Sequence, residues 1–307
     1  MKKNNKILIV GGTGFIGYHL AKKCLEKGWQ VTSISSTSPK KIRYLKGVKY
    51  LICDISKKKI LEKKLNINFN YVVNLGGNVD HSNKKKVLDS HYLGCKNLAE
   101  IFLKKIPKKF IQIGSSVEYG HLKSPQKENF KSRPSLIKSN YGKAKLLSTN
   151  YLISLYKKFN FPISILRLYI AYGPRQDINR FIPIVIKNCL NNKEFDCSEG
   201  SQLRDFIYVG DVVNAILKAL VSQKSRGEII NIGTGKPKKL KNIIENVKKI
   251  SKGGLPQFGK IELRKDEILK LYPNISKAKK ILNWKPKTSF KKGLKSTIGF
   301  YNGSRFK

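Results

Sequence analysis

The sequence predicts an α/β protein with a doubly wound parallel sheet. Short apolar runs rich in β-branched residues alternate with longer amphipathic segments up to about residue 175. Such alternation is typical of a parallel sheet covered by helices on both faces, and right-handed crossovers between its strands give the doubly wound order. The predicted strands are 6–10, 30–35, 48–53, 71–75, 109–114 and 161–168, and the predicted helices are 14–27, 83–106 and 139–159.

The pattern changes after about residue 175, where the segments become shorter and more mixed. We expect residues 1–175 to form the first domain and residues 176–307 mainly to form a smaller mixed α/β C-terminal domain, with some segments returning to the first. In this second part the predicted strands are 204–209 and 228–233, and the predicted helices are 210–222, 238–251 and 288–301.

Composition excludes several function classes. The net charge of +44 comes from 63 Lys and Arg against 19 Asp and Glu, but the cations are spread along the whole chain, so we expect no nucleic-acid partner. The apolar run 7–10 ends in two glycines and is too short for a signal peptide or a membrane span. Five scattered cysteines without a CxxC pair predict no disulfide framework and no metal site, and they fit a reducing cytoplasm.

A glycine-rich turn lies between the first predicted strand and the first helix. Gly11 permits a tight turn, Gly14 lets the backbone approach a pyrophosphate, and Gly17 lets the helix pack closely on the strand. The helix N-terminus adds N–H donors for the phosphates. The sequence therefore predicts a dinucleotide cofactor.

The end of the second strand, "QVTSISSTSPKK" (30–41), has no Asp or Glu to hold the ribose of NAD. A carboxylate there would repel the 2′-phosphate of NADP, whereas hydroxyls and cations could bind it. We therefore expect NADP to be preferred over NAD, held by Ser35, Ser36, Thr37 and Lys40, with Lys41 or Arg43 as further cations. Asp54, after the third strand, is interpreted either as an adenine contact or as the N-cap of a helix at 57–64.

Tyr141 and Lys145 are four residues apart, which places a phenol and an ammonium on one helix face. The lysine charge is expected to lower the pKa of the tyrosine, so that it exchanges a proton near neutral pH. Ser115 and Ser116 follow the fifth strand, where a hydroxyl points into the ligand crevice of a parallel sheet. A turn or helix cap is the other interpretation of these serines.

Many motifs occur in order along nearly the whole chain: "GGTGFIG" (11–17), "CDI" (53–55), "NLGG" (74–77), "GSSVEYG" (114–120), "YGKAK" (141–145), "LRLYIAYGPRQ" (166–176), "RDFIYVGDVV" (204–213), "NIGTG" (231–235) and "NISKAKKILNWKP" (274–286). In these the chain resembles the extended short-chain dehydrogenase/reductases, the NAD-dependent epimerase/dehydratase family acting on nucleotide sugars. The resemblance implies a Rossmann-type first domain, a catalytic Ser/Thr–Tyr–Lys set and a C-terminal substrate domain for the nucleotide diphosphate. It also implies a homodimer formed through helices 83–106 and 139–159.

Carried over to this sequence, the resemblance makes Tyr141 the acid/base, Lys145 the ligand of the nicotinamide ribose and Ser115 the catalytic serine. Its neighbour Ser116 is expected beside the substrate and is the alternative catalytic serine. Arg204 and Arg264 would clamp the sugar-nucleotide diphosphate, although a salt bridge to Asp205 is the alternative for Arg204. The remaining expected cofactor contacts are Phe15, Ile16, Ile55 and Gly76.

The residues after Ser115 narrow the choice of reaction. Dehydratases of the family need a carboxylate acid/base pair at the next two positions, but Ser116 and Val117 stand there and Glu118 comes one position too late. We therefore expect an NADPH-preferring reductase of an NDP-4-keto-6-deoxyhexose at C4. The first alternative is an NAD-dependent NDP-sugar 4-epimerase. The second is a non-catalytic member that binds nucleotide or RNA.

Three features depart from the family pattern: Ile170 and His91 each replace an Asn, and Gly76-Gly77 stands where Ala-Ala is common. None of them is expected to touch the Ser–Tyr–Lys set. The identity of the sugar depends on the pocket around residues 179–186.

Overall fold

The computed structural model describes residues 4–78, 80, 82–263 and 267–304. The strands are β1 (Lys6–Val10), β2 (Gln30–Ser35), β3 (Val48–Ile52), β4 (Tyr71–Asn74), β5 (Lys109–Ser115), β6 (Ile163–Leu168), β7 (Ile170–Tyr172), β8 (Glu194–Asp196), β9 (Leu203–Arg204), β10 (Phe206–Tyr208), β11 (Glu228–Ile232), β12 (Lys238–Lys239), β13 (Leu255–Gln257) and β14 (Lys270–Leu271). The helices are α1 (Phe15–Glu26), α2 (Lys58–Lys64), α3 (Lys84–Leu88), α4 (Gly94–Lys104), α5 (Asn140–Phe159), α6 (Phe181–Leu190), α7 (Val209–Val221), α8 (Leu240–Ser251), α9 (Ser276–Leu282) and α10 (Phe290–Ser304).

The main sheet has seven strands in the order β11-β6-β5-β4-β1-β2-β3, and every neighbouring pair is parallel. Residues 7–10 of the interior strand β1 are all completely buried, as expected for a strand covered on both faces. This confirms the predicted doubly wound, Rossmann-type fold.

Separate cores lie on the two faces of this sheet. One face packs against α1 and α7, with Leu20 and Ile216 fully buried. The other packs against α4 and α5, with Leu98 and Leu152 fully buried. A third core lies where α6, α8 and α10 meet, in the C-terminal part of the chain.

Two later segments of the chain complete the first layered unit, one as a strand of the main sheet and one as a helix on its face. β11 pairs with β6 at the sheet edge, and α7 packs against α1. The other late strands form small sheets of their own: β7 with β10, β8 with β13, and β9 between β12 and β14. The division of the chain at residue 175 stays a prediction.

Some predicted elements differ from the observed ones. The strand predicted at 204–209 is split into β9 and β10. The helix predicted at 83–106 contains a π-helical turn, Asp89–Leu93, between α3 and α4. Helix α6 was not predicted, because its apolar, β-branched sequence "FIPIVIKNCL" also suits a strand; Pro183 is tolerated in its first turn, where no intrahelical N–H bond is needed.

Candidate active site

The glycine turn forms a cradle at the N-terminus of α1. Gly11 has a φ of +78° and donates its N–H to the Ile34 carbonyl at 2.8 Å. A Cβ on Gly17 would lie 2.2 Å from the Gly11 oxygen, so only glycine lets α1 start this close to the turn. Gly14 is the N-cap of α1 and has no side chain to occupy the first N–H groups. This geometry fits a dinucleotide pyrophosphate.

The rest of the predicted cofactor surface surrounds this cradle. Phe15 and Ile16 start α1 and are half-buried, and Ile55 is buried. A Cβ on Gly76 would lie 2.8 Å from Val10 Cγ1, so glycine is needed there for close packing. The same Cβ would also lie 3.3 Å from the Cδ1 atom of Ile55.

Asp54 is exposed, and its carboxylate accepts the Ser56 N–H at 2.9 Å. Helix α2 begins at Lys58 with Lys57 as its N-cap, so the N-cap interpretation of Asp54 is wrong. Its assignment as an adenine contact stays a prediction.

At the end of β2, Ser35 is half-buried and accepts the Thr13 N–H at 3.5 Å, while Ser36 is exposed. Two cations from the following segment bind Asp177: Lys40 Nζ lies 3.0 Å from its carboxylate, and buried Arg43 forms a second ion pair with the same oxygen. Burial acts to raise the pKa of Asp177, but these two cations outweigh it and the pKa is lowered.

The predicted catalytic side chains converge between β5 and α5. Ser115 is the last residue of β5. Ser139 caps α5 by accepting the Gly142 N–H at 3.1 Å, which places Tyr141 in the first turn of the helix. Lys145 Nζ donates to the Ile113 carbonyl at 2.7 Å and lies 5.9 Å from the centre of the Tyr141 ring. Tyr141 and Ser115 share a side-chain hydrogen bond.

The pKa of Tyr141 differs from the expectation drawn from its spacing to Lys145. Burial raises it to about 12, and the charge of Glu118 acts in the same direction, while the Ser115 hydrogen bond and the charge of Arg180 lower it. The expected shift of the Tyr141 pKa toward neutrality is therefore wrong. Burial also lowers the pKa of Lys145, against the opposing effect of Glu118. At neutral pH the phenol is protonated.

The two serines differ in accessibility. Ser116 is buried, whereas Ser115 is half-buried. Ser115 also caps the short 3-10 turn Ser116–Tyr119, with its Oγ accepting the Val117 N–H at 3.5 Å. The capping interpretation is therefore right for Ser115, and because the cap uses the hydroxyl only as an acceptor, its proton is still there to be donated.

Arg204, the first predicted diphosphate clamp, lies in β9 and is largely buried. Its guanidinium donates to the Leu203 carbonyl at 3.0 Å and forms an ion pair with Glu267. Asp205 instead accepts the N–H and the hydroxyl of Thr234, both at 2.8 Å. The alternative of an Arg204–Asp205 salt bridge is therefore wrong. The second predicted clamp, Arg264, lies outside the described residues.

His91 is a site residue whose role the sequence interpretation missed. Its ring centre lies 4.9 Å from that of Tyr141 in an edge-to-face contact, and its Nε2 lies 3.1 Å from the Asn78 carbonyl oxygen. A Cβ on Gly77 would lie 1.8 Å from the His91 ring. His91 and Gly77, which both depart from the family pattern, therefore pack against each other. The expectation that none of them touches the Ser–Tyr–Lys set is wrong.

Arg180 was also missed as an individual residue, although it lies in the segment 179–186 that the sequence assigns to the sugar pocket. It is the N-cap residue of α6, and its charge acts on Tyr141. Across the described ranges, no group of His, Cys, Asp and Glu could hold a metal ion. Among the helices described, none is long and apolar enough to cross a membrane.

A parallel sheet with a glycine cradle at α1 and a Tyr-x-x-x-Lys pair beside it defines a dinucleotide-dependent enzyme of the Rossmann class. The chain belongs to the NAD dependent epimerase/dehydratase family, whose model matches residues 7–233. It is accordingly an NAD(P)-dependent enzyme of the nucleotide-sugar-modifying type.

Three similar proteins illustrate the range of this family. A Methanocaldococcus jannaschii protein, provisionally named UDP-glucose 4-epimerase, is 31% identical over 96% of this chain and 97% of its own. CDP-abequose synthase of Salmonella muenchen is 29% identical over 96% of this chain and 97% of its own. The structure of UDP-glucuronic acid 4-epimerase from Bacillus cereus, in complex with UDP-glucuronic acid and NAD, is 26% identical, with a TM-score of 0.86 over 97% of this chain and 99% of that one.

Proposed function

We propose that this enzyme reduces the C4 carbonyl of an NDP-4-keto-6-deoxyhexose and prefers NADPH. The observation that carries the proposal is the charge at the end of β2. Hydroxyls and three cations, Lys40, Lys41 and Arg43, follow this strand. Two of them share the single carboxylate of Asp177, which neutralises only one positive charge. The excess positive charge favours a 2′-phosphate, which a carboxylate on β2 itself would repel.

The proposed chemistry needs one hydride and one proton. When bound, NADPH supplies the hydride for C4 and leaves as NADP⁺. Tyr141 donates the proton to the carbonyl oxygen, which becomes a hydroxyl, and the raised pKa of the phenol keeps that proton in place at neutral pH. Ser115 donates a hydrogen bond to the same oxygen, and the Lys145 charge stabilises the phenolate that Tyr141 leaves behind.

Two features support the substrate class, and a third concerns the reaction. Arg204 offers a guanidinium of the kind that binds diphosphate, and Arg264 is assigned the same role from sequence alone. The relative named CDP-abequose synthase supports a deoxysugar nucleotide. Glu118 is completely buried, which argues against its use as the acid of a dehydratase.

A 4-epimerase is the second candidate, and the names of relatives favour it. The M. jannaschii protein and the B. cereus enzyme are both named for epimerisation of a UDP-sugar at C4. An epimerase would use the same Ser–Tyr–Lys set, but it would retain its cofactor and recycle it.

The test is to incubate the purified protein with CDP-, GDP- and dTDP-4-keto-6-deoxyhexoses and either NADPH or NADH. The expected result is oxidation of NADPH with formation of a 4-hydroxy sugar nucleotide. Interconversion of UDP-sugars without added cofactor, together with no consumption of NADPH, would establish the epimerase instead.

Tyr141→Phe provides the matched inactive variant. Because it removes only the hydroxyl that donates the proton, we expect kcat to fall by about 10³-fold while NADPH still binds. Stopped-flow absorbance of the nicotinamide measures the first effect and fluorescence titration the second. A variant that retains more than about a tenth of the wild-type kcat would remove Tyr141 from the role of acid.

We further propose a homodimer through the helices α3, α4 and α5. Leu88 and Leu93, at the end of α3 and in the π-helical turn, are exposed apolar side chains near this face. Analytical ultracentrifugation of the wild type and of Leu88→Glu tests the dimer. A monomeric wild type would contradict it.

A further inference from the structure

Glu118 is the most completely enclosed acidic side chain near the proposed site, with none of its surface exposed. Its two carboxylate oxygens bind groups on different elements. Oε1 accepts the backbone N–H of Ser115 at 2.7 Å. Oε2 accepts the Thr149 hydroxyl at 2.8 Å and the Arg167 Nε at 2.9 Å.

These contacts join the two elements that carry the proposed chemistry. Ser115 ends β5, whereas Thr149 lies on α5, four residues beyond Lys145 and eight beyond Tyr141. Residues four apart share one helix face, so the hydroxyl that Glu118 binds lies on the same face as the phenol and the ammonium. One carboxylate therefore bridges the serine on the strand and the catalytic face of the helix.

We propose that Glu118 is a positioning residue whose carboxylate sets the separation between Ser115 and the Tyr141–Lys145 face of α5. The inference rests on the proposed function, because it takes these three residues as the catalytic set. Glu118 cannot touch substrate, since it is fully buried and both oxygens are occupied by protein donors. It acts through Ser115 and α5.

Only a carboxylate suits this place. The three groups facing Glu118 are a backbone N–H, a hydroxyl and a guanidinium, which all donate hydrogen bonds, and an ionised carboxyl is a pure acceptor. A glutamine would present an NH₂ group to at least one of these donors. Arg167, almost completely buried, supplies the charge that makes the buried carboxylate tolerable.

Glu118 also contributes a negative charge to the site. After the larger effect of burial, its charge raises the pKa of Tyr141, and it raises that of Lys145 against burial. The pH profile therefore reports the charge that Glu118 places in the site. Positioning is tested separately by Thr149→Val, which keeps this charge and removes one of its hydrogen bonds.

The principal test compares two buried threonines in the protein saturated with cofactor. Thr149→Val removes the hydroxyl bound to Glu118 but leaves the Glu118–Arg167 pair. Thr297→Val is the matched control, because Thr297 is also completely buried and donates to the Gly293 carbonyl at 2.7 Å within α10. We expect Thr149→Val to lower kcat about ten-fold with KM for NADPH little changed, and Thr297→Val to leave both unchanged.

The second variant is Glu118→Gln, which removes the charge. If it folds, we expect the alkaline limb of the kcat profile to move to lower pH, because loss of a nearby negative charge lowers the pKa of Tyr141. Unchanged kcat and pH profile in Thr149→Val and in folded Glu118→Gln would overturn the inference. If Glu118→Gln does not fold, Thr149→Val against Thr297→Val decides alone.

A measurement that does not depend on catalysis separates this inference from the proposed function. In the ¹H–¹⁵N spectrum, Thr149→Val should move the Ser115 amide and the Tyr141 resonances, and Thr297→Val should leave them in place. These shifts with no turnover of any sugar nucleotide would contradict the proposed function but support the bridge through Glu118. Turnover with no shift and no change in kcat would support the function and reject the bridge.

Discussion

At the scale of single residues, two buried lysines are held by neutral acceptors. Lys145 binds the Ile113 carbonyl, and Lys109, at the other end of β5, donates to the Ser222 carbonyl at 2.8 Å and to the Ser225 hydroxyl at 3.2 Å. Neutral acceptors compensate a buried charge only partly, so the pKa of each lysine is lowered. The strand that presents Ser115 therefore has a buried cation near each end.

Lys109 gives a pH-dependent prediction for stability. Burial, followed by the charge of Arg226, lowers its pKa from 10.5 to about 8. Between these pH values the unfolded chain binds more protons than the folded one, so the free energy of unfolding rises with pH. The free energy of unfolding of Lys109→Met should lack this rise, which is up to about 3 kcal/mol in the wild type. Urea unfolding of both proteins from pH 7 to 10.5 measures the difference, and a difference that does not change with pH would contradict the prediction.

Asp177 gives a prediction for cofactor preference. Asp177→Asn keeps the size of the side chain but removes the carboxylate that occupies Lys40 and Arg43. We expect kcat/KM for NADPH to rise severalfold relative to that for NADH, because both cations become available to the 2′-phosphate. The control is Asp196→Asn, an exposed aspartate in β8 that gives the same change in net charge. An equal change in cofactor preference in both variants would show that the effect comes from net charge alone.

At the scale of elements, the π-helical turn Asp89–Leu93 brings His91 against Tyr141. π-Helical turns inside helices occur frequently at functional sites. The ring leaves no space for a side chain at residue 77, and Gly77 has a φ of +145° that other residues rarely adopt. The loop after β4 and the π-helical turn before α4 therefore pack closely against each other.

Gly77→Ala tests this fit. The added Cβ would overlap the His91 ring, and the alanine backbone would be held at an unfavourable φ. We therefore expect a loss of about 3 kcal/mol or more in the free energy of unfolding and a lower kcat. Gly299→Ala is the matched control: it lies in α10 with nothing within 4 Å, and it should stabilise the protein by up to about 1 kcal/mol. Equal stabilities of Gly77→Ala and wild type would show that the loop can move away freely.

The elements also show what the sequence could predict. The six strands of the first part could be predicted because short runs rich in apolar and β-branched residues mark the strands of a parallel sheet. The glycine cradle could be predicted because a backbone turn requires glycine at fixed spacing. The Ser–Tyr–Lys grouping followed from helical spacing and from the strand end. His91, Glu118 and Arg180 could not be placed, because their contacts depend on how a π-helical turn, a capped 3-10 turn and α6 meet in space.

At the scale of the whole molecule, the excess of cations dominates the electrostatics. The net charge is +44, and no single segment holds it. Most of the ion pairs involve side chains that are partly exposed, so they contribute little to stability individually. Repulsion among the remaining cations disfavours the compact state.

Salt should therefore stabilise this protein. Raising sodium chloride from about 20 mM to about 300 mM shortens the screening length severalfold, and we expect the Tm to rise by a few degrees. Differential scanning calorimetry measures it, and a variant with several exposed lysines changed to glutamine should show a smaller rise. A Tm that falls with salt would mean that attractive pairs outweigh the repulsion.

The place of β11 limits how this chain can be divided. During synthesis, β6 emerges long before β11, so its hydrogen-bonding edge stays open, and the apolar face later covered by α7 stays in contact with water. A fragment ending at residue 175 would keep both of these exposed surfaces and would tend to aggregate. A cofactor-binding unit excised for grafting into another protein must therefore include the chain through β11, together with the segments α6 to β10 that lie between.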